Sequence, residues 1–552
     1  MNYIRNIFEK PDTGQRAILG LIVLLYLCFA MFHINDPLVY DETDFVLMNE
    51  KALHNHPPMF SGCMYFIKHF ISNQEFVIRG FGLLLNLLSA FFVFKIAELI
   101  KKNTGILAMA IYLLLPAVIQ GSTLLDNDNT FLNLMLLIFC YVYMITPKSK
   151  YRYIYYFFLI FLALWSKDTT SRLLIIFFPL FELYAQKSIK KALYMLIALS
   201  GGYFLFKLGL YGVSQWSGID FYNELITGSG VSVTRLLPRL LSIKFYLRAA
   251  YSLNSISMWV SPYLLLLLVP LIKDQLTGKR DKNMVLLISL TIFITAVYFL
   301  IKVTAAGFPK YVYPVFAMMA VISAVYLADK KIWAITLCGL AFLFFYFVLG
   351  DPLKTPFVAK LHGLNNKGMI ITMIKFYLQV YIILLVPLVV LIKFNKKSPW
   401  HHNLIILFFA YIFCINVHQA KANYNVRYAY GEKGFADLNN YLVDNKISYE
   451  EILVRKSTIY YLTDKKMSRN GVNNVLFADI KIKMFLERLN NEKIKYICFS
   501  KNAMDVNPEK ALLLAAMANK GFLVSERFDD YLVYKKISDG PLSGKGCCSG
   551  PY

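Results

Sequence analysis

The sequence predicts an α-helical polytopic membrane protein with a small extracytoplasmic α/β domain near its C-terminal end. Three observations carry this. Apolar residues make up 57% of the chain, above the roughly 45–50% of soluble globular domains, and mean hydropathy is +0.51. They gather in repeated runs of about 17–24 residues, the length that crosses a bilayer. After about residue 421 hydropathy falls, and short strand-like and helix-like stretches alternate, as in an α/β domain.

Thirteen candidate spans follow from the apolar runs: roughly 17–35, 76–99, 105–120, 130–146, 153–166, 172–186, 192–212, 256–272, 284–302, 310–328, 332–349, 371–393 and 403–419. Whether 153–186 is two spans or one broken span is open at this level. The first run, Ala17–Ile34, lacks a small-residue cleavage site and is long enough to remain as an anchor. The formal charge of +24 would point to nucleic acid in a soluble protein. Here much of the basic charge sits in alternate short connections: Lys101/Lys102, Lys148/Lys150/Arg152, Lys187/Lys190/Lys191, Lys273/Lys279/Arg280/Lys282, Lys330/Lys331 and Lys393/Lys396/Lys397. That is the pattern of a topology signal facing anionic headgroups, so no nucleic-acid partner is expected. It places the N-terminus in the cytoplasm. An odd number of spans then sends the C-terminal domain outside, together with the long connections 36–75, 213–255 and 351–370. Function concentrates in such long connections over a rigid scaffold.

The domain limits expected are 1–420 for the membrane part and 421–537 for the α/β part, with a disordered tail over 538–552. Within the second, 451–454, 494–498 and 531–534 read as strands. Phe477–Leu489 and Pro508–Asn519 read as helices, the latter with Pro in its first turn. Eight cysteines show no CxxC spacing. Cys28, Cys140, Cys338 and Cys414 fall in apolar runs and read as small core residues; Cys547 and Cys548 carry no assigned role.

Charged residues where a membrane helix meets water are functional candidates by default, and three outer segments hold them. The first contains Tyr40, Asp41 and Glu42, then His54 and His56 before Pro57-Pro58, then Arg79. The second is Asp126-Asn127-Asp128-Asn129, and the third Ser166-Lys167-Asp168 with Arg172. Acid from two connections and base from another on one face suit an anionic lipid substrate and a nucleophile that needs a proton acceptor. Each segment also has a plain reading. Asp41-Glu42 can cap a helix, as can Asp126 or Asp128. Lys167 and Arg172 can be snorkelling interfacial residues. His54 and His56 can be metal ligands or polar loop residues.

The combination Tyr40-Asp41-Glu42, then His56-Pro57-Pro58-Met59, then Arg79 opening the next span, resembles the GT-C glycosyltransferases of the protein-mannosyltransferase-like branch. That branch includes the transferases that place aminoarabinose on lipid A. The likeness extends to Asp128-Asn129-Thr130-Phe131, to the Lys167 turn, to the Lys310-Tyr311-Val312-Tyr313-Pro314 run and to the number of spans, over roughly residues 15–420. The lipid A branch often has Lys in place of His56 and Gly in place of Asp168.

The resemblance implies an inverting transferase that moves a sugar from a polyprenyl-phosphate donor, such as an undecaprenyl- or dolichyl-phosphate sugar, to an acceptor hydroxyl of lipid A, a glycan or a protein, acting as a monomer in contact with membrane lipid. A phosphate leaving group needs cations rather than a general acid. Lys167, Arg172, Arg79 and Lys310 are the candidates for that role. Asp41 is the expected base, Asp128 orients the acceptor or sugar, and Glu42 is a further acid in the same region. Tyr40, His56 and Asp126 stand behind them. A divalent cation, Mg or Mn, is open, with Asp41, Glu42 and His56 as candidate ligands and Asp128 as a further oxygen donor. A lipid or solute transporter is the alternative from another class, but the marked residues gather on one face and no paired interrupted spans appear. A non-catalytic envelope scaffold is a weaker one.

Overall fold

The computed structural model describes residues 13–31, 34–35, 38, 41–47, 57–147, 149–217, 240–243, 245–246, 281–301, 310–327, 371, 434–454, 456–463, 482–500, 509–529 and 531–537. The expected spans 256–272, 332–349, 371–393 (after residue 371) and 403–419 lie outside them, as do Tyr40, His54, His56 and the tail 538–552. The described chain divides into two compact units. One comprises residues 1–36 and 44–427. The other comprises 37–43 and 428–552, so a short stretch of the first long connection groups with the C-terminal residues.

The first unit is helical. Its elements are α1 (Thr13–Ala30), α2 (Asp41–Leu47, which begins in the second unit), α3 (Pro58–Phe66) running into a π-helical turn Ile67–Ile71, α4 (Glu75–Ile100), α5 (Gly105–Leu113), α6 (Pro116–Gly121), α7 (Phe131–Ile145), α8 (Arg152–Ser166), α9 (Asp168–Gln186), α10 (Ile189–Ser217), α11 (Lys282–Ile301) and α12 (Tyr313–Leu327). Two described helices are long and apolar enough to cross a bilayer, Glu75–Ile100 and Ile189–Trp216. Shorter apolar helices include Phe131–Ile145, Arg152–Ser166 and Tyr313–Val325.

The stretch 105–120, read above as one span, is two helices. Leu115 is extended (ψ 136°) immediately before Pro116, which opens α6. Proline lacks the N–H that would continue the ladder and pushes its predecessor out of the helical region. The 153–186 ambiguity resolves into two helices, α8 and α9, hinged on Lys167, whose backbone is extended at φ −155° and ψ 112°.

Helix α8 packs on α9 and α10, and α4 on α5, α7 and α12. Close approach needs small residues, because apolar helices in lipid associate through van der Waals fit. At Gly202 a Cβ would lie 2.4 Å from Ile160 and 2.6 Å from the Phe157 carbonyl oxygen, so α10 lies directly on the backbone of α8. Buried polar groups tie the rest. Asn86 Oδ1 accepts from the hydroxyls of Tyr112 (3.1 Å) and Tyr313 (2.8 Å), while Asn133 donates to the Tyr112 oxygen at 2.8 Å. Asn86 thus joins α4, α5 and α12, and the Tyr112 hydroxyl adds α7. At the far end of the α8–α9 pair, Arg152 and Glu182 form a buried ion pair at 2.7 Å, and the Tyr143 hydroxyl donates to the same carboxylate at 2.7 Å. Cys140 is buried as read, but Cys28 is exposed on α1; a span turns one apolar face to lipid, so an apolar run does not imply burial within protein.

The second unit holds α13 (Phe435–Asp444), β1 (Ile452–Leu453), α14 (Lys456–Leu462), α15 (Ile482–Leu489), β2 (Tyr496–Ser500), α16 (Lys510–Asn519), β3 (Phe522–Phe528) and β4 (Tyr531–Lys536). The strands form one sheet in the order β1-β2-β4-β3; β1 and β2 are parallel and the other pairs antiparallel. Phe485, Leu489, Leu513 and Met517 from α15 and α16 pack with Leu453, Ile497, Phe499, Phe522 and Tyr534 of the sheet in one core. Strand β3 was not expected from the sequence. It is an edge strand, exposed from Leu523 to Arg527, so Ser525-Glu526-Arg527 masks its apolar pattern.

Candidate active site

Two of the three charged segments meet within the first unit. Lys167 Nζ lies 3.0 Å from Asp128 Oδ2, with both side chains at most 2% exposed. The two residues are 39 positions apart; Asp128 sits on the loop before α7 and Lys167 at the α8–α9 hinge. The hinge is held by local polar closure: the Lys167 amide and the hydroxyls of Ser166 and Ser171 all donate to the Ala163 carbonyl. Three donors thus close on one carbonyl in the last turn of α8, where the helix leaves its own ladder, and fix where the Lys167 side chain departs.

The Asp128 loop is wired from within. Asp126 Oδ1 accepts the Asp128 amide at 3.0 Å, Thr130 Oγ1 donates to the Asp126 carbonyl, and Asn129 Nδ2 donates to the Leu124 and Gly121 carbonyls. The N-cap residue of α7 is Thr130, which makes no side-chain capping bond. Arg79, expected among the phosphate cations, is fully buried and donates through Nη1 to the Thr123 carbonyl of this loop.

Further groups surround the pair. The Lys167 ammonium stands 5.6 Å from the centre of the Tyr311 ring, which stacks on Tyr298 at 5.6 Å. The Tyr298 hydroxyl is bonded to Thr170 Oγ1. On the other side Arg172 pairs with Asp168, one helical turn away. Arg172 and Lys207 both lie against the Tyr203 ring, at 5.8 and 5.5 Å. Among the described residues, Lys167, Arg172 and Lys207 thus gather with Asp128 and Asp168 around the hinge. Lys207, Tyr203 and Tyr298 were not among the sequence candidates. The signal for Lys207 was a lone charge inside the 192–212 run.

Beside the hinge lies an apolar groove of about 720 Å³, lined by Met59, Gly62, Phe66, Gly80, Leu84 and Trp165 among others. Trp165 stands two residues before Lys167. The aromatic series Phe45–Phe60–Phe131, with ring centres 5.1 and 6.0 Å apart, joins the end of α2 to α3 and to the first residue of α7. Glu42 is 2% exposed. The side chains of Asp41 and Lys310 lie outside the described residues; Asp41 opens α2 and Lys310 opens the 3₁₀ turn Lys310–Val312. Among the described residues no three His, Cys, Asp or Glu side chains come together as a metal site.

Residues 55–207, which hold both members of the buried pair, match the profile of the dolichyl-phosphate-mannose-protein mannosyltransferase family. Two solved structures of ArnT from Cupriavidus metallidurans share the fold. The one bound to undecaprenyl phosphate is 12% identical with a TM-score of 0.56, covering 97% of this chain and 100% of that one. The apo form is 14% identical with a TM-score of 0.54, covering 95% and 99%. The chain has the GT-C glycosyltransferase fold. No curated protein sequence matches it. The likeness to GT-C glycosyltransferases expected from the sequence is borne out at the level of the fold, a helical membrane architecture.

Proposed function

We propose that this protein is an inverting glycosyltransferase of the bacterial inner membrane. It moves a sugar from a polyprenyl-phosphate donor to an acceptor hydroxyl on the non-cytoplasmic side. The observation that carries the proposal is the buried Lys167–Asp128 pair, with Arg172–Asp168 beside it, next to an apolar groove. An ammonium has three N–H donors and a guanidinium five. Lys167 and Arg172 therefore retain the capacity to bind a phosphate while each stays bonded to its aspartate.

As the anomeric carbon–oxygen bond breaks, negative charge grows on the departing phosphate. Fixed cations in a water-poor site stabilise that charge more than water does. The isoprenoid chain lies in the groove lined by Trp165, and its apolar burial anchors the donor. The acceptor hydroxyl attacks the opposite face of the sugar and passes its proton to Asp41, while Asp128, held by Lys167, orients the reacting partners. The ArnT structure bound to undecaprenyl phosphate supports a polyprenyl phosphate as the carrier.

The test uses purified full-length protein in nanodiscs, a panel of radiolabelled undecaprenyl-phosphate hexoses and pentoses, and an envelope extract as acceptor. One donor is expected to be consumed, and Asp41→Asn to slow that consumption by about a hundredfold or more, the scale for loss of a positioned base. Recovery of every donor intact, or near-normal transfer by Asp41→Asn, overturns the reading.

A further inference from the structure

The first long connection is split between the two units, and the split falls just after the acidic motif. Residues 37–43, which include Tyr40, Asp41 and Glu42, belong with 428–552, whereas residue 44 onward belongs with the helical unit. A specific bond marks this attachment. The Leu38 backbone N–H donates to the Tyr461 hydroxyl oxygen at 2.6 Å, across 423 positions of sequence. Leu38, Glu42 and Thr43, the residues of this strap whose burial is described, are nearly free of solvent exposure. Tyr461 is itself fixed. Its ring meets Phe435 edge-on at 6.3 Å, and Phe435 meets Tyr531, the first residue of β4, at 6.0 Å. A continuous series therefore runs from the sheet through Phe435 and Tyr461 to the backbone three residues before Asp41.

We propose that Tyr461 is a positioning residue: its hydroxyl fixes the backbone that leads into Asp41 and so sets the catalytic motif. This rests on the reading of Asp41 as the base. A base works only within hydrogen-bond reach of the proton it takes, and a displacement of about 1 Å can cost about a hundredfold in rate. Asp41 is the first residue of the seven-residue α2. An isolated helix of that length is not stable in water, so its first turn needs external anchoring, and the Tyr461 bond supplies it on the N-terminal side. The bond is to the backbone, so it holds the strap whatever its side chains do.

Two single variants in the full-length protein in nanodiscs test this. Tyr461→Phe keeps the ring on Phe435 and removes the accepting oxygen. Leu38→Pro removes the donating N–H from the other side. Amide exchange followed by mass spectrometry is expected to show faster exchange across 38–43 in both, with 435–444 and 496–500 still protected. With whichever undecaprenyl-phosphate sugar the wild type consumes, kcat is expected to fall about tenfold to a hundredfold while KM for the donor lipid stays near the wild-type value. A merely structural role would move unfolding and donor KM instead. Unchanged exchange over 38–43 in either variant, or wild-type kcat in Tyr461→Phe, overturns the proposal. If Asp41→Asn remains active, the assignment of the base fails; if Asp41→Asn is inactive and both strap variants keep full kcat, only the role of Tyr461 fails.

Discussion

Lys167 and Asp128 lie almost entirely out of solvent, so each charge depends on protein partners. Removing one member of such a pair costs about 3–5 kcal/mol, whereas neutralising both together costs far less. Lys167→Gln is therefore expected to lower the unfolding midpoint sharply, and Lys167→Gln with Asp128→Asn to restore most of it. Neither variant should transfer sugar, because the cation that the phosphate needs is absent from both. A double variant as unstable as the single one would show that charge pairing is not what holds the loop to the hinge. Both residues were legible in the sequence, since a charge at the edge of an apolar run stands out. Their pairing was not, because nothing local links positions 39 apart. Lys207 was less legible still: one lysine inside a span reads as a snorkelling residue until Tyr203 and Arg172 are seen against it.

Helices α8, α9 and α10 hold the hinge in place, and their fit is set by small residues. A side chain at Gly202 would run into the Phe157 carbonyl and Ile160, and a backbone atom cannot swing aside as a flexible side chain can. Gly202→Leu is expected to cost about 1–3 kcal/mol through overpacking. Gly212→Leu, on the same helix with no atom within 4 Å of its Cβ position, should cost nothing measurable; thermal unfolding in detergent separates the two. Equal losses at both positions would mean that helix propensity rather than close packing is being measured. Element by element, apolar runs gave away the helices because a span must be continuously apolar. The break before Pro116 was visible in the sequence only to a reader who weighed one proline against a long apolar run. Strands β1, β2 and β4 were legible from apolar clusters, whereas β3, at the sheet edge, carries a polar surface that conceals it.

For the whole molecule, the grouping of residues 37–43 with the C-terminal unit had no local signal, because the Leu38–Tyr461 bond spans 423 positions. The groove likewise appears only once α3, α4 and the end of α8 are assembled, yet it makes a prediction that needs no knowledge of the sugar. If an isoprenoid chain occupies it, undecaprenyl phosphate binds the folded protein and not the unfolded one. It then stabilises by about 2.7 kcal/mol at a free concentration of 100 Kd. Gly62 and Gly80 line this groove, and at both the Cβ position has no atom within 4 Å. Gly62→Phe and Gly80→Phe should therefore fold as well as the wild type or better, since glycine in a helix costs up to about 1 kcal/mol, while filling the space that the proposed isoprenoid chain would take. The expected outcome is an unchanged or raised unfolding midpoint without lipid and loss of most of the rise that undecaprenyl phosphate gives the wild type. Isopentenyl phosphate, which carries the same headgroup on five carbons, should act on wild type and variants alike, because it reaches the cations without needing the groove. A full undecaprenyl-phosphate response in both variants would place the chain elsewhere on the protein and separate the groove from the phosphate site.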